Sequence, residues 1–154
     1  MWVRTFNDYP VNLLILCSST MAMEEKALTR QIIGCAMKVH SVLGPGFLES
    51  VYRKALHHEL MKAGFRVAME VPIAVYYDGL VVGQFSADLL VEGKVLLELK
   101  ANQALALANE VQLVNYLTAT RIEIGLLINF GAHRLEFKRK TRTYIPKADC
   151  SSQV

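Results

Sequence analysis

From Glu24 to Leu43, apolar residues recur at helical spacing (Leu28, Ile32, Ile33, Cys35, Ala36, Val39), which predicts an amphipathic helix. Thr29 or the acidic pair before it starts this helix. Gly44-Pro45-Gly46 ends it, because proline cannot continue the backbone ladder. A second helix is expected from Leu48 to Ala63, with Val51, Ala55, Leu56 and Leu60 on its buried side and Gly64 as its stop. The period then shortens to that of strands. Arg66 to Tyr77 is interrupted by Pro72, which assigns it to a sheet edge or a bulge. Asp78-Gly79 turns the chain into Leu80 to Val91, and Glu92-Gly93 turns it again into Lys94 to Ala101. Helical spacing returns from Leu105 to Thr120 (Leu107, Val111, Val114, Leu117). Ile122 to Phe130 then contains the uninterrupted apolar run Gly125-Leu126-Leu127-Ile128, expected of a strand covered on both faces. A last strand runs from Leu135 to Arg139.

The resulting order is α-α-β-β-β-α-β-β, an α/β domain with a small mixed β-sheet flanked by helices. The strand ending near Lys100, the helix after it and the strand near Leu127 form a βαβ unit, so those two strands are expected to be parallel neighbours. Residues 23–145 make the single domain, preceded by an extension over 1–22 and followed by a tail over 146–154. Arg4 and the apolar stretch Val11 to Cys17 loosely resemble a signal peptide, but the stretch is short and follows Asp8 and Pro10. Met21 or Met23 is an alternative start.

Composition narrows the class. With 53% hydrophobic and 20% charged residues, the 154-residue chain has the makings of a folded core rather than a disordered segment. No apolar run approaches the roughly 20 residues of a membrane helix, and no membrane partner is expected. Cys17, Cys35 and Cys150 are far apart and odd in number, which excludes a zinc spacing or a disulfide framework and suits a cytoplasmic setting. The net charge of +3 is compatible with a polyanionic partner without demanding one. Lys138, Arg139, Lys140, Arg142 and Lys147 crowd the C-terminal end, as a solvated edge or as phosphate contacts.

The candidate chemistry lies in Val95-Leu96-Leu97-Glu98-Leu99-Lys100 and in Asp88, one hairpin upstream. Glu98 and Lys100 share a strand face and interrupt a segment that otherwise reads as buried. Buried charges are costly unless paired or bound to a metal. Two acids and a lysine there would suit a divalent cation and a steered water, hence phosphodiester hydrolysis. The register decides whether they meet. A two-residue loop at Glu92-Gly93 pairs Asp88 with Leu97 and sends it to the face opposite Glu98. A three-residue loop with Gly93 left-handed shifts the register, and the expectation is then Asp88 against Leu96, diagonal to Glu98. By itself the acid-x-Lys signal is weak, since roughly one arises by chance in a chain of this size. An exposed cross-strand ion pair is the plain alternative.

Further residues add to it. Glu49 and Tyr52 lie one turn apart on the second helix, and Asn109, Gln112 and Tyr116 share a face of the third. Several ordered blocks carry a resemblance: Val39-His40 before Leu43-Gly44-Pro45-Gly46; Gly46, Glu49 and Tyr52; Ala87-Asp88-Leu89-Leu90-Val91; Glu98-Leu99-Lys100-Ala101; Glu110 to Leu117; and Gly125 to Gly131. Between about Leu28 and Lys140 the chain resembles the GxxExxY proteins of the PD-(D/E)XK nuclease superfamily, whose fold is restriction-endonuclease-like. The resemblance implies Asp88 and Glu98 as paired metal ligands, Glu49 as the helix acid that completes the site, Lys100 beside the attacking water and the scissile phosphate, and Gln112 as an orienting residue. It departs at Ala87, where the superfamily name has proline, and at Asn109, where a histidine is expected. The implied cofactor is Mg²⁺ or Mn²⁺ and the implied partner is nucleic acid, with DNA favoured. Small size suggests that a homodimer or another partner supplies the rest of the grip. His40 either approaches the site or bonds the last carbonyls of its helix. Tyr52 and Tyr116 either pack over the acids or serve the core, and His57 and His58 are expected in solvent. The alternative function is a catalytically silent module that binds nucleic acid or protein.

Overall fold

A computed structural model describes residues 11–142, with side chains from Met23 onwards. The expected tail and Lys147 lie outside the described residues. Eight elements follow in the expected order: α1 (Val11–Leu43), α2 (Glu49–Lys62), β1 (Val67–Tyr77), β2 (Leu80–Val91), β3 (Val95–Lys100), α3 (Leu107–Thr120), β4 (Ile124–Asn129) and β5 (Glu136–Thr141). α1 begins well before Glu24. The stretch from Val11 to Glu24 contains neither glycine nor proline, so nothing in it interrupts the helical ladder. Thr29, considered as a helix start, is an interior residue whose hydroxyl donates to the Glu25 carbonyl at 2.7 Å. Among the described residues, no helix is long and apolar enough to cross a membrane.

The five strands are ordered β1-β2-β3-β4-β5, antiparallel except for the β3–β4 pair, which α3 connects as a parallel crossover. β1, the strand with Pro72, is at one edge, where a missing N–H is tolerated. β3 and β4 are central. All of β4 and all of β3 except Lys100 are buried, in keeping with their apolar runs.

The two faces of the sheet carry separate cores. Val95, Leu97 and Leu99 of β3 join Ile32, Ala36 and Val39 of α1 and Tyr52, Leu56 and Leu60 of α2. Leu96 faces the other way, with Leu113, Tyr116 and Leu117 of α3. On α2, Tyr52 rather than the expected Val51 turns inward: Tyr52 is fully buried, whereas Val51 is 37% exposed. Glu98 and Lys100 alternate in phase with Leu96, so the strand pleat keeps them out of the α1–α2 core.

The far ends of β3 and β4 are fixed by backbone contacts. Phe130 N–H donates to the Lys100 carbonyl at 2.8 Å. Fully buried Asn129 accepts from the N–H groups of Asn102 and Gly131 at 3.0 and 3.1 Å and donates to Glu136 at 2.9 Å. A Cβ at Gly131 would stand 2.4 Å from the backbone of Ala101, so only glycine permits this approach. The result is a rigid support beneath Lys100.

Candidate functional site

The hairpin loop between β2 and β3 has three residues. Val91 pairs with Val95, Glu92 and Gly93 have φ of 53° and 66°, and Lys94 N–H donates to the Val91 carbonyl at 2.9 Å. The ladder runs Val91↔Val95, Leu90↔Leu96, Leu89↔Leu97. It ends one residue short of Asp88. Leu96 pairs with Leu90, which corrects the expected partner of Asp88; the side chain of Asp88 instead accepts from the β3 backbone at Leu99. The three-residue loop is present, and it shifts the ladder by one residue from the two-residue register, so that Leu97 pairs with Leu89 and not with Asp88.

Three of the candidate residues come together here. Lys100 Nζ donates to Glu98 Oε1 at 3.1 Å, with 13% and 6% of their side chains exposed. Asp88 Oδ2 accepts the Leu99 N–H at 2.7 Å, which ties the acid to the backbone between Glu98 and Lys100. Burial pushes the Glu98 carboxyl up to about 7; the charge of Asp88 adds to the rise, Lys100 opposes it and Glu49 adds a smaller push. For Lys100, burial pulls downward, yet Glu98, Glu49 and Asp88 outweigh it and raise the ammonium above its usual range. The lysine is therefore a cation at neutral pH. Glu98 Oε2 is buried and has no hydrogen-bond partner.

Glu49 is exposed in the first turn of α2, where the helix dipole favours an acid. The preceding turn is held by Tyr52, whose hydroxyl donates to the Gly44 carbonyl at 2.6 Å and accepts from Phe47 N–H at 3.1 Å. Its ring stacks on Phe130 at 4.7 Å between centroids. Gly46 at φ 113° supplies a backbone conformation that other residues rarely adopt. In this chain the Gly46-x-x-Glu49-x-x-Tyr52 spacing is thus a way of placing Glu49. Tyr52 serves the core and the loop, not the acids.

The other candidates lie apart. Gln112 donates to Tyr116 at 3.0 Å, within α3. Both line an apolar groove of about 940 Å³ with Val75, Tyr76, Phe85 and Val111. Among the described residues, no hydrogen bond or ion pair joins Gln112 to Asp88, Glu98 or Lys100. Asn109 is used locally: its side chain accepts the Ala106 N–H at 3.0 Å and caps α3. His40 bonds neither the acids nor its own helix end; its Nε2 is 3.0 Å from the Ala132 carbonyl. His58 is exposed, and His57 is half-buried rather than fully in solvent. The basic C-terminal strand is largely paired, Lys138 and Lys140 with Glu110 and Arg142 with Glu123, whereas Arg139 is exposed.

Sequence reading missed Arg53. Its guanidinium reaches Asp88 Oδ1 at 3.0 Å and Glu70 Oε1 at 2.9 Å. The available signal was its position four residues after Glu49 on α2, the spacing of helix neighbours on one face.

A sequence profile of the PD-(D/E)XK nuclease superfamily matches residues 26–140. The chain belongs to this superfamily. The matched span contains Glu49, Asp88, Glu98 and Lys100, and nucleases of the superfamily generally use divalent metal ions. Among curated proteins, none matches. The crystal structure of SSO0001 aligns with a TM-score of 0.52 at 17% identity, over 62% of this chain and 50% of that one. This chain thus spans half the length of that relative, and the likeness is one of fold. An alkaline exonuclease from Laribacter hongkongensis, LHK-Exo, aligns with a TM-score of 0.43 at 12% identity, over 70% of this chain and 76% of that one.

The donor set fits a hard divalent cation in chemistry, with one obstacle. Carboxylate oxygens are the ligands such ions take, and the unpartnered Oε2 of Glu98 is available to one. Asp88 stands beside it, but both its oxygens are engaged, by Arg53 and by the Leu99 N–H. Among the described residues, no three His, Cys, Asp or Glu side chains are gathered closely enough to hold a metal.

Proposed function

We propose that this chain is a metal-dependent nuclease of the GxxExxY group that hydrolyses phosphodiester bonds in DNA. The observation that carries the reading is Glu98: a carboxylate buried beside Asp88 and Lys100, with one oxygen unpartnered. A purely structural ion pair has no need of a second buried acid next to the first, because like charges raise its cost.

Glu98 and Asp88 are the proposed protein ligands, with Glu49 reaching in from the start of α2. When bound, Mg²⁺ or Mn²⁺ supplies a Lewis acid for the phosphate and lowers the pKa of a water. Lys100, held as a cation by the surrounding acids, positions the attacking water and offsets charge that develops on the phosphoryl oxygens. It does not act as a base, since its proton is stabilised. Gln112 orients the α3 side through Tyr116. A homodimer supplies the grip on substrate that so small a domain lacks; sedimentation that finds only monomer together with tight DNA binding would overturn that part.

Calorimetric titration with Mg²⁺ or Mn²⁺, followed by oligonucleotide cleavage, tests the assignment. Wild type is expected to bind the ion and cut, and Asp88→Asn to do neither while keeping its circular dichroism. Full cleavage by Asp88→Asn would refute it. One observation favours a second reading, a silent binding module: both oxygens of Asp88 are already satisfied. Under that reading wild type binds nucleic acid without cutting it, whichever ion is added.

A further inference from the structure

Arg53 carries an inference that rests on the cation-site reading and goes beyond it. Its two terminal nitrogens bridge different acids, Asp88 at 3.0 Å and Glu70 at 2.9 Å, and its side chain is 23% exposed. The remaining Asp88 oxygen accepts from the N–H of Leu99, a residue held in β3 by its pairing with Ile128 of β4. Each Asp88 oxygen keeps a further lone pair, so the obstacle is charge: a divalent cation at this carboxylate would stand beside the guanidinium, which repels it, and of the two partners the guanidinium is the one that can move away. Several features make it so. Arg53 is a long side chain at a partly open position, and its second anchor, Glu70, is 64% exposed and holds it weakly. Glu70 also sits at φ 52°, a conformation that side chains with a Cβ rarely adopt. The planar guanidinium fork matches phosphate as well as carboxylate.

Exchange conserves charge pairing. In the free protein Arg53 neutralises Asp88. With a polynucleotide and a divalent cation present, the guanidinium pairs with a phosphate and Asp88 with the cation, and the only carboxylate left without its partner is that of exposed Glu70, which water solvates. We propose that Arg53 is a positioning residue that keeps Asp88 out of the cation site until a nucleic-acid phosphate draws the guanidinium away, so that cation and polynucleotide bind with positive coupling. By linkage, the cation must tighten the polynucleotide by the same factor.

The test is Mn²⁺ titration of the full chain by calorimetry, with and without a phosphorothioate oligodeoxynucleotide that resists cleavage. In wild type the oligonucleotide is expected to tighten Mn²⁺ about tenfold, within the usual range of coupling between sites. Arg53→Gln is expected to bind Mn²⁺ with the tighter affinity already in the free protein and to show no further gain. Lys54→Gln removes the same charge one residue away, at an exposed position, and is expected to match wild type. Equal tightening in Lys54→Gln would reduce the effect to net charge and overturn the proposal, as would unchanged Mn²⁺ affinity in Arg53→Gln. Should Arg53→Gln fail to fold, Arg53→Lys keeps the charge but not the two-armed fork, and undiminished coupling there would equally overturn it. Absence of Mn²⁺ binding in wild type and Arg53→Gln, with or without the oligonucleotide, overturns the cation site itself.

Discussion

Two of the places where lysine meets glutamate behave oppositely. Glu98 with Lys100 is buried, its carboxyl is raised to about 7, and one of its oxygens is unpartnered. Glu110 with Lys138 and Lys140 lies on the α3–β5 side, where the two lysines are 48% and 30% exposed, and their hydrogen bonds lower its carboxyl below the usual range. Residue types are the same and pairing is richer in the second. What differs is the balance of burial and neighbouring charge against partners. Glu110 is itself only 13% exposed, but it has two ammonium partners open to solvent and no neighbouring acid to raise its cost. In the sheet, desolvation and the neighbouring charge of Asp88 outweigh the one lysine. The paired cluster is complete as it stands; the buried one has a demand for positive charge that its own residues do not meet.

The largest expected effect tests that contrast through catalysis. Lys100→Met should lower kcat by about 10²–10³-fold, the loss typical of one preorganised charged or hydrogen-bonding group. Lys138→Met should leave kcat unchanged. Equal losses would show that any lysine near α3 and the sheet supports cleavage through general charge, and the distinction between the clusters would fall.

The next effect is thermodynamic. The ordinary carboxyl value of 4.5 stands for Glu98 in the unfolded chain, against about 7 in the folded one. Between these values the folded state holds the proton more tightly. The stabilising contribution is therefore fully present below pH 4.5 and is lost as pH rises through 7, amounting to roughly 3 kcal/mol. Urea denaturation of the metal-free protein should show this decline in wild type, and Glu98→Gln should lack it. Mn²⁺ should restore stability at pH 8 in wild type alone, by binding the folded state. A pH-independent difference between the two proteins would mean that Glu98 is ionised at ordinary cost.

How the site is held is tested by Tyr52→Phe, expected to cost about 1–3 kcal/mol for the two hydrogen bonds its hydroxyl makes to the turn, at about 0.5–1.5 kcal/mol each. Because those bonds are to Gly44 and Phe47, in the turn leading to Glu49, cation affinity should weaken alongside stability. Unchanged cation binding would separate Glu49 from the site.

These residues also mark what could be read in advance. Periodicity located the elements, because the apolar runs of β3 and β4 and the turns at Asp78-Gly79 and Glu92-Gly93 are local signals. Lys100 and Glu98 were legible as charges inside a buried strand. The placement of Asp88 against β3 was legible only as a condition on the loop, since one residue of register decides which residues meet. Arg53 was not legible, because its partners Glu70 and Asp88 lie on two other elements and only the fold brings them within reach. Nor was the work of Tyr52, whose hydroxyl bonds two backbone groups in a turn. Gln112 shared the expected helix face with Tyr116, but nothing in the spacing said which groove that face would line.

The smallest effect sharpens the comparison most cleanly. Glu110→Gln removes the acid from the paired cluster. Its lowered carboxyl makes the sign opposite to that of Glu98: stability from Glu110 is present above the ordinary carboxyl range and is lost as pH falls through the lowered value. Since the lysines are exposed, the contribution is screened. A small drop in Tm at low salt should vanish at about 1 M, where the Debye length is roughly 3 Å. The pH-dependent difference at Glu98 should survive the same salt, because salt screens a buried group much less than an exposed one. If salt instead abolished the Glu98 difference, water would reach that carboxylate too, and the proposed demand for a cation would disappear with its cause.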